Sequence, residues 1–340
     1  MKYKEVIEKM FDKRTGSKNI HEAVLIVENS SGDFYMDLGY GGRDKQSPIF
    51  LASVSKLFVT ACILILQEQK KLSLNNHVGD YVEKTILDGI HTYKGKDYSQ
   101  ELKLSDLLFQ TSGLPYGLEC FAKQLSKKDI EITLEDALQK VKASTPHFAP
   151  NTGKRANYSD INFRLLCHII EKVTNLPLAK VYQEYICNPL GLAKTYLPTK
   201  SDDFIPDIYY KSKILKRPKF FSSSNNYDAI STANDLMRFL KAFWGGTLFS
   251  RNVFEKLSIY KKLQFPMGLM YYGGGYMQIP LGNITTLFMG KGELIGHAGS
   301  TGSLAFYYPQ KDLFFVGDFN QMADPGIPIR FIMRLAMALK

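Results

Sequence analysis

Ser53 and Lys56 stand three residues apart in FLASVSKLF (residues 50–58), at the mouth of the apolar run LFVTACILIL. On a helix, residues three apart share a face and immediate neighbours do not. Lys56 therefore reaches Ser53 more readily than Ser55. A serine hydroxyl is a poor nucleophile until a base takes its proton, and an amine or phenolate beside it can do that. The start of a helix adds free N–H donors and a positive field. The plainer reading of the same residues is a capping serine beside a lysine that reaches out to water.

Two later stretches carry further candidates. ANYSDINFRLLCHIIEKV (156–173) puts Tyr158 and Asp160 just before an amphipathic helix, where Ser159 or Asp160 would also serve as a cap. GHAGSTGSLAFYY (296–308) leads His297, Gly299, Ser300 and Gly302 into a strand. Its two central glycines leave room for another backbone to approach. Alone, this stretch reads as a hairpin bend beside a core histidine. YYGGGYM (271–277) lacks the spacing of a phosphate-binding loop. His168, beside Cys167, reads as packing. No HExxH and no paired Cys/His spacing occurs, so neither a metal nor another cofactor is expected. A Ser-His-Asp triad with His297 as base is the weaker alternative, because Ser53 lacks the GxSxG elbow.

These residues need a frame. EAVLIVENSSGDFYMDLGYG (22–41) and GSLAFYYPQKDLFFVGDFN (302–320) each read as a hairpin, two β-rich runs around a turn. An amphipathic helix, KYKEVIEKMF, precedes the first, and PIRFIMRLAMALK follows the second. Between about 54 and 195 the periodicity is mostly helical, and 200–222 reads as a long surface loop. The expected fold is α+β: an antiparallel sheet from both chain ends, flanked by helices, with a mostly helical insert. The expected division is a discontinuous sheet domain (1–65 and 226–340) and a helical domain (66–225), with the site between them.

The 340 residues are 45% hydrophobic, enough for a large core. The formal charge is +10, with lysines spread along the chain. The densest basic stretch, YYKSKILKRPKFF (209–221), comes with no nucleic-acid-binding motif and reads as a solvated loop. Of Cys62, Cys120, Cys167 and Cys187, Cys62 and Cys167 read as small core residues. No apolar run is long enough to span a bilayer. The start has no secretory leader pattern, so a cytoplasmic protein is expected, although a chain trimmed of its leader would read the same way.

Taken in order, the three stretches resemble the active-site trio of the penicillin-binding protein and β-lactamase superfamily: SxxK, then YxN or SxN, then KTG or HxG. The tyrosine variant resembles the branch of class C β-lactamases, DD-peptidases and related esterases. FQTSGLPYG (109–117) is similar to that branch's THTSGLP segment. Residues 158–197 are similar to its YSNxGYxLLGxIIExVTG…PLGMxxT stretch, and STANDLMRF (231–239) to STAxDLxRF. The resemblance runs over roughly residues 22–320, and YYGGGYM is similar to a segment that in the family is a strand close to the active site.

The resemblance implies a β-lactamase/transpeptidase-like fold and specific roles. Ser53 would be the acylated nucleophile, and Lys56 and Tyr158 would share base duty. The Ser53 and Ser300 N–H groups would form the oxyanion hole, and Asp160, His297 and Gly299 would line the substrate site. An ammonium group beside Tyr158 is expected to lower its pKa. Two departures stand out. Asp160 replaces an asparagine and, ionised, can only accept hydrogen bonds. His297 replaces a lysine and carries no permanent charge. Both weaken recognition of a carboxylated β-lactam. The expected activity is a serine hydrolase for a small ester, amide or peptide, with no nucleic-acid partner. The alternatives are a class C-type β-lactamase or DD-carboxypeptidase, and a catalytically weak binding or scaffold protein. The absent leader argues against a cell-wall peptidase.

Overall fold

The computed structural model describes residues 2–115, 128–200, 203–223, 226–264, 267, 270–282 and 290–339. Cys120 and the end of the FQTSGLPYG stretch lie outside them. The strands that matter are β1 (Ala23–Glu28), β2 (Tyr35–Tyr40), β3 (Pro48–Phe50), β4 (Ile230–Thr232) and β5 (Lys261–Lys262). They continue with β6 (Tyr271–Tyr272), β7 (Met277–Pro280), β8 (Glu293–Ala298), β9 (Ser303–Tyr308) and β10 (Leu313–Asp318). Eight of them form one sheet in the order β2-β1-β10-β9-β8-β7-β6-β5. Every pairing in it is antiparallel.

Both expected hairpins are present, and β1 pairs with β10, Val24 opposite Asp318. The two chain ends thus build the centre of one sheet. Successive side chains of a strand point to opposite faces. In β1 and β10, Val24, Ile26, Phe314 and Val316 join one core, while Leu25, Val27, Leu313 and Phe315 join another. Both faces are covered, which is why these strands read as nearly continuous apolar runs.

The second core is closed by α1 (Lys2–Thr15), through Ile7 and Phe11, and by the C-terminal helix over Ile327–Ala338. The first is closed by α2 (Lys56–Glu68) and α3 (Ala233–Gly245). All residues of α2 from Lys56 to Leu66 are buried, as expected for a helix apolar all round. Phe58 of α2 stacks on Phe239 of α3 at 3.8 Å between ring centroids. The inserted region supplies further helices over Leu104–Leu108, Leu134–Lys142 and Asp160–Thr174, all where the periodicity placed them.

Three local expectations change. YYGGGYM is not one strand: β6 and β7 turn on its glycines, and Gly275, at φ +92°, lies so close to Thr60 that a Cβ would collide with it. The 200–222 loop carries a short ladder, Tyr209–Tyr210 with Lys213–Ile214, and a short helix, Pro218–Ser223, that buries Phe220 and Phe221. His168 is not packing: it is half-buried, with Nε2 3.1 Å from Glu83 on the surface. No described helix is long and apolar enough to cross a membrane.

Candidate active site

Ser53 sits in a single 3-10 turn, Ala52–Ser55, that runs directly into α2 at Lys56. Residues i and i+3 eclipse in such a turn, which aligns Ser53 with Lys56 more closely than an α-helix would. The turn is entered through Ala52 at φ +45°, a conformation L-residues seldom adopt. Backbone of this kind persists only where its surroundings over-determine it. Those surroundings are β3, paired with β4, and the turn between β8 and β9. Thr301 Oγ1 donates to Phe50 O at 3.0 Å and Ser303 Oγ to Leu51 O at 2.7 Å. A Cβ on Gly299 would collide with Ser303 Oγ and come within 2.5 Å of Leu51 O. Glycine is needed there because the 299–303 turn lies flat against the backbone leading into Ser53.

Lys56 Nζ donates to Ser53 Oγ at 3.2 Å and to Asp160 Oδ1 at 2.5 Å. Ser55 points elsewhere, its hydroxyl accepting the Ala229 N–H. The lysine is completely buried and Asp160 is 3% exposed. Removing either partner from such a pair would leave a bare charge in the interior. Tyr227 donates a second hydrogen bond to Asp160 Oδ1 at 3.0 Å. The ammonium also lies 4.7, 5.4 and 5.0 Å from the ring centroids of Tyr158, Phe163 and Tyr227, a cage of aromatic faces.

Asp160 opens the helix Asp160–Thr174; Ser159 holds the cap position, but its hydroxyl bonds Pro115 O instead of capping. The preceding loop is clamped from two sides. Gln110 Oε1 accepts from Ser159 N at 2.9 Å and Asn162 Nδ2 at 2.6 Å, and Gln264 Oε1 accepts from Tyr158 N at 2.9 Å. The FQTSG stretch thus positions the second cluster, through Gln110 and the Ser112–Asn162 bond of 2.8 Å.

The expected drop in the Tyr158 pKa is reversed. Burial, and then the Asp160 carboxylate, push the phenol well above its ordinary value, with Ser53 pulling the other way. The Lys56 charge is spent on Asp160, so it does little for the phenolate. His297 closes β8, with Nδ1 2.9 Å from Ala298 O. That contact assigns the proton to Nδ1 and leaves Nε2 as an acceptor. Burial and the nearby Lys56 lower its pKa to about 3, so the ring is neutral. The rings of Tyr158, Tyr272 and His297 form a triangle with sides of 5.9, 6.0 and 6.0 Å. Their outer polar atoms (Tyr158 Oη, Tyr272 Oη and His297 Nε2), with Gln110 Nε2, are buried without hydrogen bonds among the described residues.

The sequence candidates therefore meet in one place; Ser300 is the exposed member, one residue beyond Gly299 on the turn that packs against the backbone leading into Ser53. Tyr227, Tyr272, Gln110 and Gln264 were not anticipated. Gln110 and Tyr272 had a signal, standing inside the FQTSG and YYGGGYM segments. Cys62, Cys167 and Cys187 are buried thiols, with burial raising each, Cys187 to about 12.

A family model described as Beta-lactamase matches residues 7–334. The chain belongs to the Beta-lactamase family. Protein flp of Staphylococcus aureus (strain COL) is 28% identical over 238 residues, covering 64% of this chain and 44% of that protein. The chain spans about half the length of the curated relatives it matches. Among solved structures, the D-amino acid amidase from Ochrobactrum anthropi SV3 complexed with L-phenylalanine aligns with a TM-score of 0.80 and 17% identity, covering 100% of this chain and 98% of that one. EstCE1, a hydrolase with promiscuous acyltransferase activity, aligns at 0.79 and 18%, covering 99% and 98%. At these identities the likeness shows the fold: the β-lactamase/transpeptidase-like arrangement.

Proposed function

We propose that this protein is a serine hydrolase that acts through an acyl-enzyme on Ser53, on a small ester or amide. The observation that carries the reading is the buried Lys56 ammonium, which joins Ser53 Oγ to Asp160 beneath the Tyr158 ring. Ser53 Oγ attacks the carbonyl carbon, and its proton passes to the Tyr158 phenolate. The Ser53 and Ser300 N–H groups receive the developing oxyanion. Tyr158 then gives the proton to the leaving alkoxide or amine. A water molecule attacks the acyl-enzyme, yielding a proton to Tyr158 that finally returns to Ser53.

Burial, and then the Asp160 carboxylate, make this base hard to charge, so activity rises with pH on the alkaline side of neutrality. The neutral, buried His297 offers no cation for a substrate carboxylate, which weighs against an efficient class C-type β-lactamase or a DD-carboxypeptidase. The polar atoms of Tyr272, His297 and Gln110 are suited to an uncharged polar group next to the scissile bond. The fold neighbours named as an amidase and an esterase-like hydrolase agree with this class of substrate. The site falls between the proposed sheet domain (1–65, 226–340) and helical domain (66–225).

A catalytically weak binding protein is the second reading, favoured by the raised Tyr158 pKa. One experiment separates the readings: turnover of a short p-nitrophenyl ester and a chromogenic cephalosporin by the wild type and by Ser53→Ala, with intact mass. Ester turnover that depends on Ser53, with the cephalosporin spared, supports the hydrolase. Fast cephalosporin turnover overturns the role given to His297. No reaction and no adduct on Ser53 favours the binding protein.

A further inference from the structure

A cavity of about 650 Å³ opens between α3 and the sheet, away from Ser53. Strand β9 links the two places. Ser303, at its start, bonds the backbone before Ser53, whereas Tyr307, four residues and roughly 13 Å further on, lines the cavity. The volume is in the range of small-molecule sites, roughly 300–1,000 Å³.

Four aromatic residues, Tyr35, Trp244, Tyr307 and Phe314, line it, and Tyr307 stacks on Phe314 at 4.3 Å. Three cations line it too: Arg238 and Lys241 on α3, and Arg251 beyond its end. Glu28 is the one carboxylate in the lining, and it is taken by Lys241 at 2.6 Å. Arg238 and Arg251 have no carboxylate within ion-pair distance among the described residues; Arg238 makes a 3.4 Å hydrogen bond to Gly191 O. Trp244 is 6% exposed, and its indole N–H has no acceptor among the described residues. Arg238 and Arg251, both exposed, offer guanidinium groups without carboxylate partners, which suit an acceptor bearing negative charge.

We propose that this cavity is a second ligand site, for a small planar aromatic anion whose ring packs among Tyr35, Trp244 and Tyr307 and whose carboxylate meets Arg238 and Arg251. The proposal does not depend on the hydrolase reading.

Trp244 is the only tryptophan in the chain, so its emission reports on this cavity alone. The probes are 4-iodobenzoate, a heavy-atom quencher, and its uncharged counterpart 4-iodobenzyl alcohol. Saturable quenching is expected from the carboxylate, with at least tenfold weaker binding of the alcohol. The double variant Arg238→Gln/Arg251→Gln is expected to bind the carboxylate at least tenfold more weakly while keeping the wild-type melting temperature. Glu28→Gln, which frees Lys241, is expected to bind it more tightly, so the test does not hang on one variant. Quenching that rises linearly without saturation overturns the proposal. So does equal affinity for the two probes, or affinity unchanged in both variants.

Discussion

The two walls around Ser53 handle charge in opposite ways. On the helical side, Lys56 and Asp160 are both buried, 2.5 Å apart, with Tyr227 bonded to the carboxylate and three rings about the ammonium. On the sheet side, the position next to the turn holds a buried imidazole without charge. On the proposed reading, one wall places and moves a proton next to a hydroxyl, and the other offers no cation to an anionic substrate. The groups that this reading assigns to acylation and to substrate selection sit on different elements, which meet along the Phe50–Leu51 backbone and where the His297 ring faces Tyr158.

Five variants break or sharpen that contrast. Ser53→Ala should cost about 10³-fold or more in kcat/KM on a p-nitrophenyl ester, with little change in melting temperature, since only a half-buried hydroxyl is lost. Retention of activity would remove Ser53 from the chemistry. Lys56→Ala should destabilise the fold by about 3–5 kcal/mol in urea unfolding, because it strands Asp160. Lys56→Met combined with Asp160→Asn should recover most of that loss, since pairing, more than either group alone, keeps this wall stable.

The sheet wall should respond to acid instead. His297 has a folded pKa of about 3, against about 6.5 when unfolded, so the unfolded chain binds more protons between those values. Its contribution to stability is complete above pH 6.5 and falls as the pH drops, by about 2–3 kcal/mol at pH 4.5. His297→Gln should lack that component, seen as a flatter acid limb in denaturant midpoints, while neutral-ester turnover stays within about tenfold. A collapse of that turnover would give the imidazole a role beyond a neutral wall. Asp160→Asn strands the buried Lys56 ammonium and so also lowers stability, but its expected effect on turnover is a modest gain. Removing the carboxylate lowers the Tyr158 pKa, so the alkaline rise in kcat/KM should move to lower pH by about one unit, roughly a tenfold gain at pH 7. A slower enzyme at every pH would instead make Asp160 part of the proton path.

Much of this frame could be read from the chain itself. The β1–β2 and β9–β10 hairpins announced themselves as apolar runs around SSGD and PQKD, and α2 as an unbroken apolar stretch behind Ser53 and Lys56. Local spacing sufficed for Ser53 and Lys56 because they are neighbours on one turn. It failed where the deciding partner is remote in sequence. His168 looked like packing because Glu83 lies 85 residues away. The sign of the Tyr158 shift was missed because it depends first on how completely the phenol is buried and then on the Asp160 carboxylate beside it, both set by tertiary packing. Tyr227 had no signal at all: a loop residue reaches the ammonium only after β3 and β4 pair.

The pairing of Val24 with Asp318 also sets a schedule for synthesis. The first strand leaves the ribosome roughly 300 residues before the strand that must lie beside it. At about 5–20 residues per second, that is a wait of some 15–60 s. Through that interval the β1–β2 ribbon carries an unmatched edge and two apolar faces, while the helices between can already begin to associate. The growing chain is therefore exposed at the β1–β2 ribbon, and a chaperone that shields residues 22–41 during synthesis would help this protein more than one that acts later.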